Sequence, residues 1–210
     1  MLRMNDDKTN VIVRSRNFQM SEVRKLKARF QKARPYPHIG ISSFLKDPKP
    51  VFSAIKSEQF FKKDSDLFSF SQTNNLFYSK NPVMQSAVKL FSSQTFSSLI
   101  SAISGIKLKH GALDVFGSLY EKTDYLLCHD DRVEDRKIAF ILYLSENFSS
   151  KDGGSLALYS NKKNHANKRA AAYLPMQNSL FIFKVSEVSW HEVEEVLSDK
   201  KRYAIGGWLH

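Results

Sequence analysis

From Leu113 onward, the pattern of apolar positions changes from helical to short extended segments: LDVFGSLY, DYLLCHD, KIAFILYL, SLALYS, AAYLP, SLFIFKV, SWHEVEEV and RYAIGGWLH. Each is β-branched or aromatic in character and is bounded by turn formers such as EKTD, KDGG and MQN, so the pattern predicts eight strands. Upstream the period is helical. In SEVRKLKARFQKAR, Val23, Leu26 and Phe30 recur at helical spacing, Ser21 is a suitable N-cap, and Pro35 and Pro37 end the segment. A short strand in GISS is expected next, then a helix over roughly Pro50 to Phe61, and a loop through the polar SQTNN between Asp64 and Lys80. In PVMQSAVKLFSSQTFSSLISAISGI, Val88, Phe91, Phe96, Leu99, Ile100 and Ile103 fall largely on one helical face, with a break near Ser92 to Gln94. Residues 1–20 are polar and mixed in charge; the short alternation at Val11 to Val13 predicts at most a loosely attached strand.

Helices with one apolar side need a sheet to cover, and eight late strands supply it. The expected fold is mainly β with N-terminal helices (α+β): a double-stranded β-helix, or jelly roll, with a supporting helical layer. Residues 1–36 are expected to form a partly helical extension, and 37–210 a single domain. A hydrophobic share of 42% with 16 Phe excludes a wholly disordered chain. Cys128 is the only cysteine, which rules out an internal disulfide and a cysteine-based zinc cluster and suits a cytoplasmic or nuclear setting. There is no signal-peptide pattern at Met1 and no apolar run of membrane-spanning length, so no membrane partner is expected. The net charge of +11 suits a nucleic-acid or ribonucleoprotein partner and serves solubility equally well. The basic helix face of Arg24, Lys25, Lys27, Arg29, Lys32 and Arg34 reads first as a solvated surface, although it could touch RNA.

The stretch YLLCHDDRVEDRKIAFILY carries the candidate chemistry. His129 and Asp131 stand two apart at the end of an apolar run, where an extended backbone would lean both side chains the same way. Alone, such a pair recurs by chance. SWHEV adds His191 on a late strand, and in a jelly roll early and late strands lie side by side, so a site of two imidazoles and one carboxylate becomes available, the donor set of non-haem Fe(II) oxygenases. Alternation turns Asp130 the other way, and Cys128 is expected to be a small buried side chain. Gly153 and Gly154 lack the surroundings of a phosphate loop and predict a turn; His38, His110, His165 and His210 have no partner at ligand spacing.

CHDD followed by IAFILYL, GGSLALYS, NSLFIFKVSEVSWHEVEEV and RYAIGGWLH resembles the Fe(II)- and 2-oxoglutarate-dependent prolyl hydroxylases, and among them those that modify a proline of the decoding-centre protein of the small ribosomal subunit. The likeness is strongest from Tyr120 to His210 and traceable from about His38, in SSFLKDP and DLFSFSQTNNL. Members of that family usually carry a second, non-catalytic jelly roll, which this sequence is expected to lack. The resemblance implies that His129, Asp131 and His191 ligate Fe(II), with 2-oxoglutarate and O2 as cosubstrates and ascorbate (vitamin C) as a supporting reductant. It also implies that Arg202 and Tyr143 hold the distal carboxylate of 2-oxoglutarate, that Tyr120 bonds near its metal-bound end, and that Trp208 lines the pocket. The implied partner is a protein substrate with a target proline, gripped by Asp130 to Lys137 and Asn161 to Arg169; the basic second stretch fits better beside rRNA or an acidic partner. Two alternatives stay open: a 2-oxoglutarate oxygenase acting on nucleic acid or another protein residue, and a non-catalytic ribosome- or RNA-binding jelly-roll module.

Overall fold

The structure is a computed structural model that describes residues 13–133 and 135–210. The expected alternation at Val11 to Val13 therefore lies mostly outside the described residues; Val13 itself is buried and forms an isolated bridge to Leu45. The elements are α1 (Met20–Lys32), β1 (His38–Ile41), α2 (Lys49–Lys56), β2 (Phe60–Ser65), β3 (Phe68–Thr73), α3 (Pro82–Phe91), α4 (Gln94–Ser104), and then β4 (Leu113–Tyr120), β5 (Tyr125–His129), β6 (Ile138–Tyr143), β7 (Leu156–Lys162), β8 (His165–Tyr173), β9 (Ser179–Lys184), β10 (His191–Val193) and β11 (Arg202–Leu209).

Each helix has a local cause. α1 buries Val23, Leu26 and Phe30, as their spacing requires, but it begins at Met20, with Ser21 inside the first turn and no side-chain cap. α3 starts where Asn81 Oδ1 accepts from the backbone N–H groups of Val83 at 3.0 Å and Met84 at 3.3 Å, with Pro82 at the first helical position. The predicted break is real: Ser93 ends one apolar run and caps the next, accepting from Phe96 N–H at 3.1 Å, and Gly105 closes α4 at φ +76°.

Two expectations fail in the same place. The helix starting near Pro50 stops at Lys56 rather than Phe61, because the Ser57 hydroxyl donates to Ala54 O at 2.8 Å and the chain then becomes extended. Beyond it lies a hairpin: β2 pairs with β3 from Phe60↔Thr73 to Ser65↔Phe68, so most of the polar SQTNN lies in a strand instead of a loop. β2 is exposed along almost its whole length, which left no alternation to detect. Buried Asp124 anchors this hairpin by accepting from Lys62 Nζ and from Ser69 Oγ.

All pairings are antiparallel and run in one curled sheet, β1-β9-β6-β11-β4-β3-β5-β10-β7-β8, with β2 on the outside of β3. The eight late strands are where the pattern put them, although β8 begins earlier, at His165, so the basic Asn161 to Arg169 segment is a paired hairpin with β7. Alternation along β6, β9 and β11 splits two cores. Ile138, Phe140, Leu142, Leu180, Ile182, Ile205 and Leu209 face α1–α4, while Ala139, Tyr143, Phe181, Phe183 and Ala204 face inward with Leu156 and Leu158 of β7. The inward side is where the site forms.

Candidate active site

β10 lies between β5 and β7, and His191 is directly opposite His129 in the β5–β10 ladder. Cross-strand neighbours share a face, and the two imidazole centroids are 4.2 Å apart. Contrary to the expectation from spacing, Asp131 does not reach them by continued alternation. β5 ends at His129, its register with β10 slips between Leu126 and His129, and Asp131 takes a left-handed φ of +60° that folds its carboxylate back toward both rings. Asp131 Oδ1 is 3.3 Å from His129 Nε2 and Oδ2 is 3.4 Å from His191 Nε2. One donor atom from each of the three residues lies within 4.8 Å of the others. Each imidazole is aimed by its own strand: Nδ1–H of His129 donates to Leu127 O and that of His191 to Ser189 O, both at 2.8 Å, which turns Nε2 toward the shared position. Burial would raise the Asp131 carboxyl, but the imidazole hydrogen bonds outweigh it and hold the group far below the carboxylate range. At His129 burial alone would lower the value, and the bond to Asp131 reverses the direction.

On the opposite wall, β11 brings in Arg202, 1% exposed. Its Nε donates to Gly154 O at 2.8 Å, its guanidinium carbon stands 4.9 Å from the Tyr120 ring centroid and 5.1 Å from that of Tyr143, and its Nη2 has no hydrogen-bond partner. Tyr143 Oη is likewise buried without a partner. Burial raises both phenols, partly offset by the nearby guanidinium, so they keep their protons and can donate. Among the described residues no carboxylate pairs with Arg202. A buried cation flanked by phenol donors and lacking a counter-ion costs several kcal/mol unless an anion completes it. Arg202, Tyr120 and Trp208 line the same cavity of about 180 Å³ as His129, Asp131 and His191; Tyr143 lies beneath the guanidinium. Trp208 Nε1 has no partner, and the Arg136 guanidinium sits 3.5 Å from the Trp208 ring centroid.

Several contributors carry no sequence signal. The Leu127 and Ser189 carbonyls act through the main chain, and Phe183 packs edge-on to His191 with centroids 4.6 Å apart. Phe70, on the unforeseen β3, stacks on Tyr120 at 5.0 Å. Gly154 is in the expected turn, at φ +66°, where an added Cβ would lie 3.1 Å from Arg202 Cδ. Asp130 bonds Arg132 at 2.7 Å, outside the cluster. Cys128 is half-buried rather than buried, and burial pushes its thiol up to about 11, which excludes a thiolate nucleophile at neutral pH.

Residues 115–210 match the sequence family described as the 2OG-Fe(II) oxygenase superfamily. The chain is 36% identical over 181 residues to a mouse protein named prolyl 3-hydroxylase OGFOD1, an alignment covering 84% of this chain and 33% of that protein. It is 29% identical over 197 residues to a prolyl 3,4-dihydroxylase OGFOD1 of Ostreococcus tauri, covering 84% and 38%. The chain thus spans about a third of the length of the curated relatives it matches. In fold it is similar to a prolyl-4-hydroxylase of Pseudomonas putida (TM-score 0.68, 17% identity, 88% of this chain and 98% of that one). A Trichoplax adhaerens prolyl hydroxylase, solved with a hypoxia-inducible-factor degradation-domain peptide, is similar to the same degree (TM-score 0.69, 19% identity, 91% and 93%).

Proposed function

Since the chain belongs to the 2OG-Fe(II) oxygenase superfamily, we propose that it is a prolyl hydroxylase dependent on Fe(II), 2-oxoglutarate and O2, and that its substrate is the decoding-centre protein of the small ribosomal subunit. The observation that carries the reading is Arg202: a buried guanidinium with a free Nη2, beside a free Tyr143 hydroxyl, in the cavity that also holds the three clustered donors.

His129 Nε2, His191 Nε2 and one Asp131 oxygen would hold Fe(II): two neutral imidazoles and a carboxylate suit that ion. Arg202 and Tyr143 would hold the distal carboxylate of 2-oxoglutarate through charge-assisted hydrogen bonds, with Tyr120 donating nearer the metal-bound end. When bound, the iron with 2-oxoglutarate and O2 supplies the oxidising power to hydroxylate an unactivated C–H bond. The chain's own residues orient and shield. The Leu127 and Ser189 carbonyls fix the tautomer of each imidazole, while Phe70, Leu126, Phe183 and Trp208 surround the position with apolar surface that keeps water out. The relatives named as prolyl hydroxylases support proline as the target.

The test is incubation with Fe(II), 2-oxoglutarate and either tryptic peptides of small-subunit ribosomal proteins or rRNA, both from cells lacking the enzyme, read by mass spectrometry. A gain of one oxygen on a proline of the decoding-centre protein is expected. Turnover only on other proteins would remove that substrate, and oxidation confined to nucleic acid would remove the prolyl reading.

A further inference from the structure

The chain's positive charge is not spread evenly. No Asp or Glu occurs between Glu22 and Asp47 or between Asp152 and Glu187, and these two stretches hold twelve of the 32 Lys and Arg, so the remainder of the chain is close to neutral. The first stretch contains α1 and the residues just after it, where Arg24, Lys25, Lys27, Arg29, Lys32 and Arg34 are all exposed; among the described residues their one ion pair is Lys25 to Glu22, at a loose 4.0 Å. The second contains the β7–β8 hairpin, exposed from Lys162 to Ala170. Among the described residues its Lys162, Lys163 and Lys168 take part in no ion pair, whereas Arg169 is held by Glu194 at 2.6 Å.

The fold joins the two stretches at one end: the foot of β8, five residues from Lys168 and ten from the Lys163 turn, meets the segment that follows α1. β8 is the last strand of the sheet, and the hydroxyl of Tyr173 at its end shares a 2.6 Å hydrogen bond with Nε2 of His38 on β1, the strand after α1. Arg29 of α1 is close enough to act on the Tyr173 hydroxyl electrostatically. The hairpin is stiff: Lys163 and Asn164 form its turn at φ +53° and +62°, Asn161 Oδ1 accepts from Asn164 N–H at 3.2 Å, and Ser160 Oγ accepts from Lys168 N–H at 3.1 Å. Its backbone therefore presents the cations without an ordering cost of its own.

We propose that the exposed face of α1 and the β7–β8 hairpin form one ridge that binds the phosphate backbone of a nucleic-acid duplex. Charge complementarity selects a polyanion. Asn161 to Arg169 carries no large apolar side chain to enter a membrane and no Phe, Tyr or Trp on which an unpaired base could stack, which leaves backbone phosphates as the partner. The ridge is independent of the proposed chemistry, since none of its cations lines the cavity.

The test uses the full chain and fluorescein-labelled RNA and DNA duplexes of about 20 base pairs, measured by anisotropy across a NaCl titration. Binding is expected to weaken steeply with salt. The triple variants Lys162→Gln/Lys163→Gln/Lys168→Gln and Lys25→Gln/Arg29→Gln/Lys32→Gln should each lower the log–log salt slope by up to roughly 2.7, about 0.9 for each phosphate contact removed. Equal binding of RNA and DNA supports recognition of the shared backbone, and preference for RNA supports it with A-form geometry as the source. Wild-type affinity in both variants would overturn the proposal, as would displacement of the duplex by polyglutamate at equal charge, which would make an acidic protein the occupant. Thermal midpoints equal to those of the parent chain, compared without 2-oxoglutarate and again with it, serve as the folding control for each variant. Loss of prolyl hydroxylation with duplex binding retained would refute the enzyme reading and leave the ridge standing.

Discussion

Replacing Arg202 by lysine keeps the charge and removes the fork. In the structure Nε is committed to Gly154 O at 2.8 Å while Nη2 remains free, so the guanidinium could bond the main chain and the carboxylate of the proposed cosubstrate at once. A lysine ammonium is a single point on a flexible stem and cannot span both directions with planar geometry. The variant should lose one charge-assisted hydrogen bond to the cosubstrate, worth roughly 1.5–3 kcal/mol. That corresponds to a Kd for 2-oxoglutarate weakened about 10- to 150-fold. Calorimetric titration of 2-oxoglutarate into the Mn(II)-loaded protein measures it without turnover, and steady-state assays should show the loss in KM, with kcat at saturation little changed. A thermal midpoint near that of the unmodified chain would establish that the variant folds. If such a folded variant bound 2-oxoglutarate as tightly as the parent, the assignment of Arg202 to the distal carboxylate would be wrong.

Asp131→Ala and His129→Ala should each abolish high-affinity Mn(II) binding, followed by electron paramagnetic resonance, and turnover with it; activity retained in both would exclude the cluster as a metal centre. Gly154→Ala must adopt φ +66° and place a methyl group 3.1 Å from Arg202 Cδ, so a stability loss of about 1–2 kcal/mol in urea denaturation should accompany a higher KM for 2-oxoglutarate. His38 is buried, and burial lowers its pKa from the ordinary 6.5 despite the bond to Tyr36 O. The unfolded chain therefore binds the proton first: the contribution of neutral His38 is present above about pH 6.5 and is lost as pH falls through the lower folded value. Urea midpoints at pH 7.5 and 5.5 should fall more in the parent chain than in His38→Gln, and parallel curves would count against the effect.

The late strands are legible because they are short apolar runs bounded by turn formers: one side of β6, β9 and β11 meets helices and the other the cavity, so consecutive residues are apolar. β2 and β3 are not, since all but the first residue of FFKKDS are exposed and leave no alternation to detect. The composition of the metal cluster is recognisable, but the backbone route to it is not. Spacing predicts an extended pair at His129 and Asp131; a register slip and a left-handed residue do the placing instead, and no side-chain pattern encodes either. Nor does local spacing disclose that His191 pairs with His129, because that contact depends on how distant strands assemble.

β3 changes partners midway, pairing through Phe68 and Ser69 with β5 and through Ser71 and Gln72 with β4. It is thus the seam between the wall bearing the clustered histidines and the wall bearing Arg202, and the span across that seam sets how long a diacid can stretch between them. Selection among keto-diacids that differ by a single methylene should accordingly respond to packing changes in this hairpin, both at Phe70 and Gln72, which line the cavity, and at its residues outside the lining.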